Sequence, residues 1–110
     1  MIKKKESLFE LQKQVDEWIN RYGGGYWNPL SMFSALIEEA GELARELNCQ
    51  QGNKPKKSEK ENVRIDEETG DLLFALICIA NYFEIDLEQQ LKKSLRKFAQ
   101  RDKNRYKKTR

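Results

Sequence analysis

Apolar residues recur at helical spacing in four segments, and no segment shows the sustained alternation that is typical of a strand. The first segment opens with Ser7-Leu8-Phe9-Glu10, which has the form of a capping box, and the glycines at 23–25 end it. The second begins at Asn28-Pro29, an N-cap followed by proline in the first helical position, and runs to about Asn48. Its predicted apolar stripe is Phe33, Leu36, Ile37, Ala40, Leu43, Ala44 and Leu47.

Two further helices are predicted in the second half of the chain. The third takes in Glu67 to about Phe83, and an N-cap sequence at Asp86-Leu87-Glu88-Gln89 begins the fourth. The run from Leu72 to Ala80 has no polar residue on any helical face, so we expect the third helix to be buried on all sides. The inward residues of the fourth helix are expected to be Leu87, Leu91, Leu95 and Phe98. The predicted fold class is all-α, with a four-helix bundle as its architecture.

One acidic sequence occurs twice. Glu38-Glu39-Ala40-Gly41-Glu42-Leu43 in the second helix matches Glu67-Glu68-Thr69-Gly70-Asp71-Leu72 in the third, 29 residues further on. Each copy carries two acids three residues apart, whose side chains lie on one side of a helix. These acids are Glu39 and Glu42 in the first copy, and Glu68 and Asp71 in the second. The glycines Gly41 and Gly70 indicate a close approach of the two helices, although packing alone also explains them.

The composition is that of a helical protein of one domain, taken as residues 1–110 with a polar loop at about 50–62 and a basic tail at about 103–110. No apolar run approaches the roughly 20 residues that span a bilayer, and the basic start at Met1 has no apolar region behind it. Cys49 and Cys78 form no motif, which fits a reducing cytoplasm. The core is small for such a chain, so association with a second copy is expected.

Histidine is absent, which narrows the chemistry. Catalysis by a Ser-His-Asp or Cys-His arrangement is excluded, and so are zinc sites built on His or Cys clusters. Any metal ligands must then be carboxylate oxygens, which select hard cations such as Mg²⁺ or Mn²⁺.

Antiparallel packing of the second and third helices would bring the carboxylates of Glu39, Glu42, Glu68 and Asp71 to one point. Four carboxylates repel one another, and one or more divalent cations would relieve this repulsion. Mg²⁺ keeps several waters, takes up substrate phosphates, polarises a phosphoryl oxygen and lowers the pKa of an attacking water. A carboxylate outside the cation's ligands would then orient that water. The candidates for this catalytic role are Glu38 and Glu67.

The net charge of +3 combines an acidic body with a basic end, since residues 92–110 carry ten Lys and Arg against one acid. Lys93, Lys97 and Arg101 fall on one flank of the fourth helix and are candidate substrate contacts, with Lys97 and Arg101 placed to hold the leaving phosphates. Such a helix could equally bind nucleic acid. Trp27, in the loop after the first helix, is either a hydrophobic lid on the bundle end or a stacking surface for a base.

The paired acids, separated by a loop, resemble the signature of the MazG-type, all-α nucleoside triphosphate pyrophosphohydrolases. Over nearly its whole length, the chain resembles the short, single-domain MazG-like proteins of bacilli. The segments that carry it are Tyr26-Trp27-x-Pro29-Leu30, residues 38–46, Lys54-Pro55-Lys56-Lys57, Glu67-Glu68-x-Gly70-Asp71 and Lys97-Phe98-x-x-Arg101-Asp102.

This resemblance implies a Mg²⁺-dependent hydrolase that cleaves a nucleoside triphosphate between its α and β phosphates, yielding the monophosphate and pyrophosphate. It implies a helical bundle assembled as a homodimer or homotetramer, with sites at or near the subunit contacts. Carried over by position, the metal ligands are Glu39, Glu42, Glu68 and Asp71, while Lys97 and Arg101 match basic family positions. The preferred base and sugar stay open.

Three alternatives are left by the sequence. The phosphoribosyl-ATP pyrophosphohydrolases share the paired acidic motif, although the glycine before Asp71 favours the MazG-like proteins. A helical nucleic-acid-binding module would use the basic last helix, and its affinity would fall steeply with salt. A purely structural bundle would melt at the same temperature with and without divalent cations, because only a ligand of the native state raises the melting temperature.

Overall fold

A computed structural model describes residues 5–52 and 64–103 of the chain. This part consists of four α-helices and contains no strand. The helices are Leu8–Arg21 (α1), Pro29–Gln50 (α2), Ile65–Tyr82 (α3) and Leu87–Asp102 (α4). The all-α prediction with four helices is therefore confirmed. The predicted polar loop and basic tail lie almost entirely outside the described residues.

Three helices begin at the caps that the sequence predicts. In each, the side-chain oxygen of the capping residue accepts a backbone N–H bond of 3.0–3.1 Å from the residue three positions further on. The capping residues are Ser7, Asn28 and Asp86. Helix α3 differs, because it begins at Ile65 instead of Glu67 and its N-cap, Arg64, makes no side-chain capping bond. Glu67 and Glu68 thus lie in the first turn of α3, and Asp71 lies one turn further along.

Helix α3 packs along α2 and also against α1, while α4 packs against α1. Met32 of α2 and Cys78 of α3 share a buried cluster with Ile19 of α1. Further along α2, Glu39 meets Glu68 of α3. Residue numbers that rise along α2 therefore fall along α3, so the two helices are antiparallel, as predicted.

A polar junction ties α1 to α3 and to the start of α4. The buried Gln12 side chain donates to Asn81 Oδ1 at 3.0 Å and to the Ile85 carbonyl at 2.9 Å. Its Oε1 accepts from the Leu87 backbone N–H at 2.9 Å, and Asn81 returns a bond to the Gln12 carbonyl. Because a buried amide is costly unless it is hydrogen-bonded, this exchange specifies where α1 crosses the other two helices.

The expected burial of α3 and α4 is wrong for one chain taken alone. On α3, Leu73, Phe74 and Leu76 are 39–45% exposed, although Ile77, Cys78 and Ala80 are buried. No residue of α4 is buried. The predicted inward residues of α4 are 45–62% exposed: Leu91, Leu95 and Phe98. On α2, the stripe residues Phe33, Ile37 and Leu47 are 43–55% exposed. The reason is that α4 packs mainly against α1, which leaves these apolar residues of α2 and α3 exposed in the described part of the chain.

The close helix approach expected at Gly41 and Gly70 is also not found within the described chain. A Cβ added at either position would meet no atom within 4 Å. Both glycines therefore lie on outward surfaces of their helices. No helix in the described ranges has both the length and the apolar character that crossing a membrane requires.

Candidate metal centre and adjoining cavity

The acidic turns of α2 and α3 place three carboxylates side by side. One oxygen each from Glu39, Glu68 and Asp71 lies within 4.8 Å of the other two. Glu68 and Asp71 are one turn apart on α3, and Glu39 faces them from the antiparallel α2. Three oxygens at such separations form a donor set that suits Mg²⁺ or Mn²⁺, which favour carboxylate ligands.

The three carboxylates differ in solvent access. Glu68 is only 6% exposed, Glu39 is half-buried and Asp71 is exposed. Burial raises the pKa of Glu68, and the negative charge of Asp71 acts in the same direction, against the opposing guanidinium of Arg64. In the protein without metal, nearby positive charge therefore does not fully compensate the ionised Glu68 carboxylate. This is the property expected of a residue that binds a cation.

Glu42, the fourth predicted ligand, lies outside this group of three. It is exposed, and its Oε2 lies 3.4 Å from a guanidinium nitrogen of Arg45, three residues further along α2. Its charge still contributes to the raised pKa of Glu68, so it belongs to the same electrostatic environment. The structure thus brings together three of the four predicted ligands and pairs the fourth with an arginine.

A second acid on α2, Glu46, is more deeply buried than Glu42 and lies between two arginines. It is 5% exposed, and its Oε1 is 3.6 Å from Arg45 and 3.9 Å from Arg64. Arg64 also approaches Glu67 at 3.8 Å and Glu68 at 4.0 Å. A row of alternating charges therefore connects the acidic turn of α2 with that of α3.

The two candidate catalytic acids lie next to the cluster but are directed elsewhere. Glu38 is exposed on α2, and Glu67 is exposed on α3, where it is paired with Arg64. Each precedes a residue of the three-carboxylate group, and neighbouring residues on a helix point about 100° apart. Neither carboxylate belongs to the group of three.

A cavity of about 370 Å³ opens beside the acidic cluster, and Glu39 and Asp71 form part of its wall. The rest of the wall is mainly apolar and aromatic. It comprises Trp18, Ile19, Gly23, Gly25, Tyr26, Trp27, Met32, Ala35, Phe74, Ala75 and Cys78. Carboxylates at one side and aromatic rings at the other suit a ligand with a charged part and a planar apolar part.

Two contacts hold aromatic rings in this wall. Trp18 meets Phe74 edge to face, with 6.1 Å between ring centroids. The Tyr26 hydroxyl donates to Asp16 Oδ1 at 2.5 Å. Burial and this hydrogen bond raise the pKa of Tyr26, so that the hydroxyl stays protonated. Trp27 also lines the cavity but is 62% exposed, so one face of its ring is open to solvent.

The predicted phosphate contacts on α4 do not line this cavity in the described part of the chain. Lys93, Lys97 and Arg101 are exposed. Lys97 and Arg101 flank the ring of Phe98, each with its charge 4.8 Å from the centroid, and Arg101 forms two hydrogen bonds of 3.0 Å with Asp102. Their role in binding substrate stays a prediction.

Sequence reasoning missed the arginine pair and most of the cavity wall. Helical spacing is the signal that could have identified the arginines, because Glu46 follows Glu42 by one turn and Arg64 precedes Glu68 by one turn. Phe74 lies in the apolar run from Leu72 to Ala80 that the sequence predicts to be buried, and nothing in the local sequence distinguishes a cavity wall from a core.

Comparisons with known proteins identify the family of this chain. A family model described as the MazG nucleotide pyrophosphohydrolase domain matches residues 27–106. The protein YpjD of Bacillus subtilis is 43% identical over 101 residues, which cover 92% of this chain and 91% of that protein. The nucleoside triphosphate pyrophosphohydrolase/pyrophosphatase MazG of Thermotoga maritima is 27% identical over 93 residues, which cover 84% of this chain but 31% of that enzyme.

Solved structures show the same similarity. The crystal structure of YpjD from Bacillus subtilis superposes with a TM-score of 0.78 at 41% identity, covering 87% of this chain and 98% of that one. The crystal structure of the Bacillus-conserved MazG protein, a nucleotide pyrophosphohydrolase, gives a TM-score of 0.73 at 40% identity and covers 87% and 92%.

Proposed function

Because the chain belongs to the MazG nucleotide pyrophosphohydrolase family, we propose that it hydrolyses nucleoside triphosphates, or their deoxy forms, to the monophosphate and pyrophosphate in the presence of Mg²⁺. The observation that carries this proposal is the position of Glu39, Glu68 and Asp71 at the side of an aromatic cavity. The same arrangement would serve to remove unwanted nucleotides from the cellular pool.

The cavity would bind the nucleoside. Its volume of about 370 Å³ lies within the usual range for small-molecule sites. The base would enter among Trp18, Phe74 and Trp27, whose rings offer stacking surfaces that tolerate many bases. The triphosphate would then extend toward Glu39 and Asp71, where a cation must intervene because carboxylates repel phosphates.

The acidic residues have distinct roles in this proposal. Glu39, Glu68 and Asp71 would hold the ion, and Glu42 would join them by turning away from Arg45. Bound there, Mg²⁺ supplies charge stabilisation for the phosphoryl oxygens and a lower pKa for a coordinated water. Glu38 or Glu67 would orient the attacking water and accept its proton, and the walls of the cavity would keep bulk water from the α phosphate.

Assembly of chains would complete the site. The family resemblance implies a homodimer or homotetramer with sites near the subunit contacts, and the exposed apolar residues of α2 and α4 support such contacts. In an assembly of this kind, Lys93, Lys97 and Arg101 would reach the phosphates of a site in a second copy, although they do not line the cavity of their own chain.

A nucleotide panel with pyrophosphate detection tests this function. The purified protein is incubated with ribo- and deoxyribonucleoside triphosphates and with phosphoribosyl-ATP, using Mg²⁺, Mn²⁺ or EDTA. We expect equal release of monophosphate and pyrophosphate that EDTA abolishes. Turnover of phosphoribosyl-ATP alone would reassign the protein to the second enzyme class, and release of orthophosphate would contradict cleavage between the α and β phosphates.

A further inference from the structure

We propose that Arg64, anchored by the buried Glu46, is an internal counter-cation of the acidic cluster and sets its affinity for divalent metal. The inference rests on the proposed metal-dependent function and assigns roles to two residues outside the paired acidic motif. Arg64 would act as a positioning residue, occupying one side of Glu68 and opposing the incoming ion.

The first observation is the burial of Glu46. A carboxylate that is 5% exposed requires compensating positive charge, and two arginines provide it at the same oxygen, Oε1. Arg45 comes from the same helix, whereas Arg64 comes from the start of α3. Glu46 thereby determines where the Arg64 guanidinium lies relative to both helices.

The second observation is the distribution of the Arg64 nitrogens. Nε faces Glu46 at 3.9 Å, Nη1 faces Glu67 at 3.8 Å and Nη2 faces Glu68 at 4.0 Å. One guanidinium thus serves three carboxylates, as its planar fork of donors permits. Since Glu68 also belongs to the three-carboxylate group, any cation bound there shares this carboxylate with Arg64.

These positions give the two residues opposite effects on metal binding. The positive charge of Arg64 stabilises the cluster without metal and repels a divalent ion from it. The negative charge of Glu46 partly neutralises Arg64 and Arg45. The electrostatic potential at the acidic cluster is then more favourable for a divalent ion. A pair with a purely structural role would behave differently, because loss of either member would loosen the cluster and weaken metal binding.

The experiment measures Mn²⁺ affinity by titration calorimetry on the full chain without nucleotide. We expect Arg64→Gln to bind Mn²⁺ about fivefold more tightly and Glu46→Gln about fivefold more weakly, a size that reflects the 50% exposure of the arginine side chain. The double variant should return close to wild type. Arg64→Lys, which keeps the charge, should also bind nearly as the wild type does.

Lys92→Gln is the matched control. It makes the same change in net charge at an exposed i,i+4 pair with Glu88 on α4, and we expect its Mn²⁺ affinity to be unchanged. Circular dichroism of each variant establishes that the helices are retained. If Glu46→Gln does not fold, the comparison of Arg64→Gln with Arg64→Lys still decides the sign of the arginine's effect.

Two outcomes would overturn the proposal, and they are distinguishable. Mn²⁺ binding that is unchanged or weaker in Arg64→Gln would reject the counter-cation role and leave the metal-dependent function standing. A wild-type protein that binds no Mn²⁺ would reject both, and the pyrophosphate assay would then be expected to fail as well.

Discussion

Trp18 of α1 meets Phe74 of α3 edge to face, with ring centroids 6.1 Å apart and planes at 79°. Both rings line the cavity whose wall includes Asp71, which lies on α3 one turn before Ala75. The α1–α3 contact therefore places aromatic surface beside the candidate metal centre.

Asp71→Asn should abolish pyrophosphate release, lowering kcat by at least about 100-fold, because an amide oxygen does not replace the charge of a ligand carboxylate. Asp71 is exposed, so the helices should be retained. The measurements are pyrophosphate release and far-ultraviolet circular dichroism. Glu17→Gln, at an exposed acid of α1, is the control and should keep full activity. Normal turnover in Asp71→Asn would refute the site assignment.

Trp27→Ala should raise KM about tenfold with little change in kcat, since stacking of a base on an aromatic ring contributes roughly 1–3 kcal/mol and is the same before and during the reaction. The side chain is 62% exposed, so its loss should cost little stability. Steady-state kinetics on the preferred nucleotide provide the test. The control is Tyr22→Ala, which removes a 71% exposed ring that does not line the cavity. Equal KM values for both variants would favour the hydrophobic-lid interpretation of Trp27.

The raised pKa of Glu68 predicts a pH dependence of stability in the protein without metal. As pH rises past the ordinary value of 4.5, the unfolded chain loses this proton before the folded protein does. The contribution of Glu68 is therefore present at low pH and lost as pH rises through the folded pKa. Above its folded pKa, the ionised Glu68 opposes folding.

Glu68→Gln should consequently melt at a higher temperature than the wild type in EDTA at about pH 7.5, and the difference should shrink toward about pH 4. Mn²⁺ should raise the melting temperature of the wild type more than that of the variant, because the ion binds the native state through this carboxylate. Differential scanning fluorimetry measures both effects, with Glu17→Gln, at an exposed acid of α1, as the control. A variant that is less stable at every pH would contradict the sign.

Most of the helix starts could be predicted from the local sequence, and so could the proximity of the two acidic turns. The caps at Ser7, Asn28 and Asp86 act through bonds to residues three positions away, which a reader of the sequence can recognise. Glu39 and Asp71 meet because a repeated turn is placed on antiparallel neighbouring helices.

The remaining features depend on contacts between segments distant in sequence. Nothing near Glu46 indicates that it is buried, since its environment includes Arg64 from the next helix. Likewise, an apolar stripe such as that of Leu91 and Leu95 indicates that a surface will be covered, but not by what. The periodicity of α4 therefore predicts residues that face inward, whereas in a single chain these residues are exposed.

The apolar stripe of α4 leads to the last prediction, which concerns assembly. Leu91, Leu95 and Phe98 recur at intervals of four and three on a helix with no buried residue. A 16-residue helix is marginal in water unless tertiary packing supports it, and among the described residues α4 packs mainly against α1. We therefore expect the stripe to pack against a second copy, giving a particle of at least twice the mass of one chain in analytical ultracentrifugation.

Leu95→Lys should shift that particle toward the monomer by placing a charge in the contact, whereas Gln100→Lys, on an exposed polar position of the same helix, should not. A wild-type monomer at micromolar concentration would contradict this assignment, and the α4 stripe would then need another explanation.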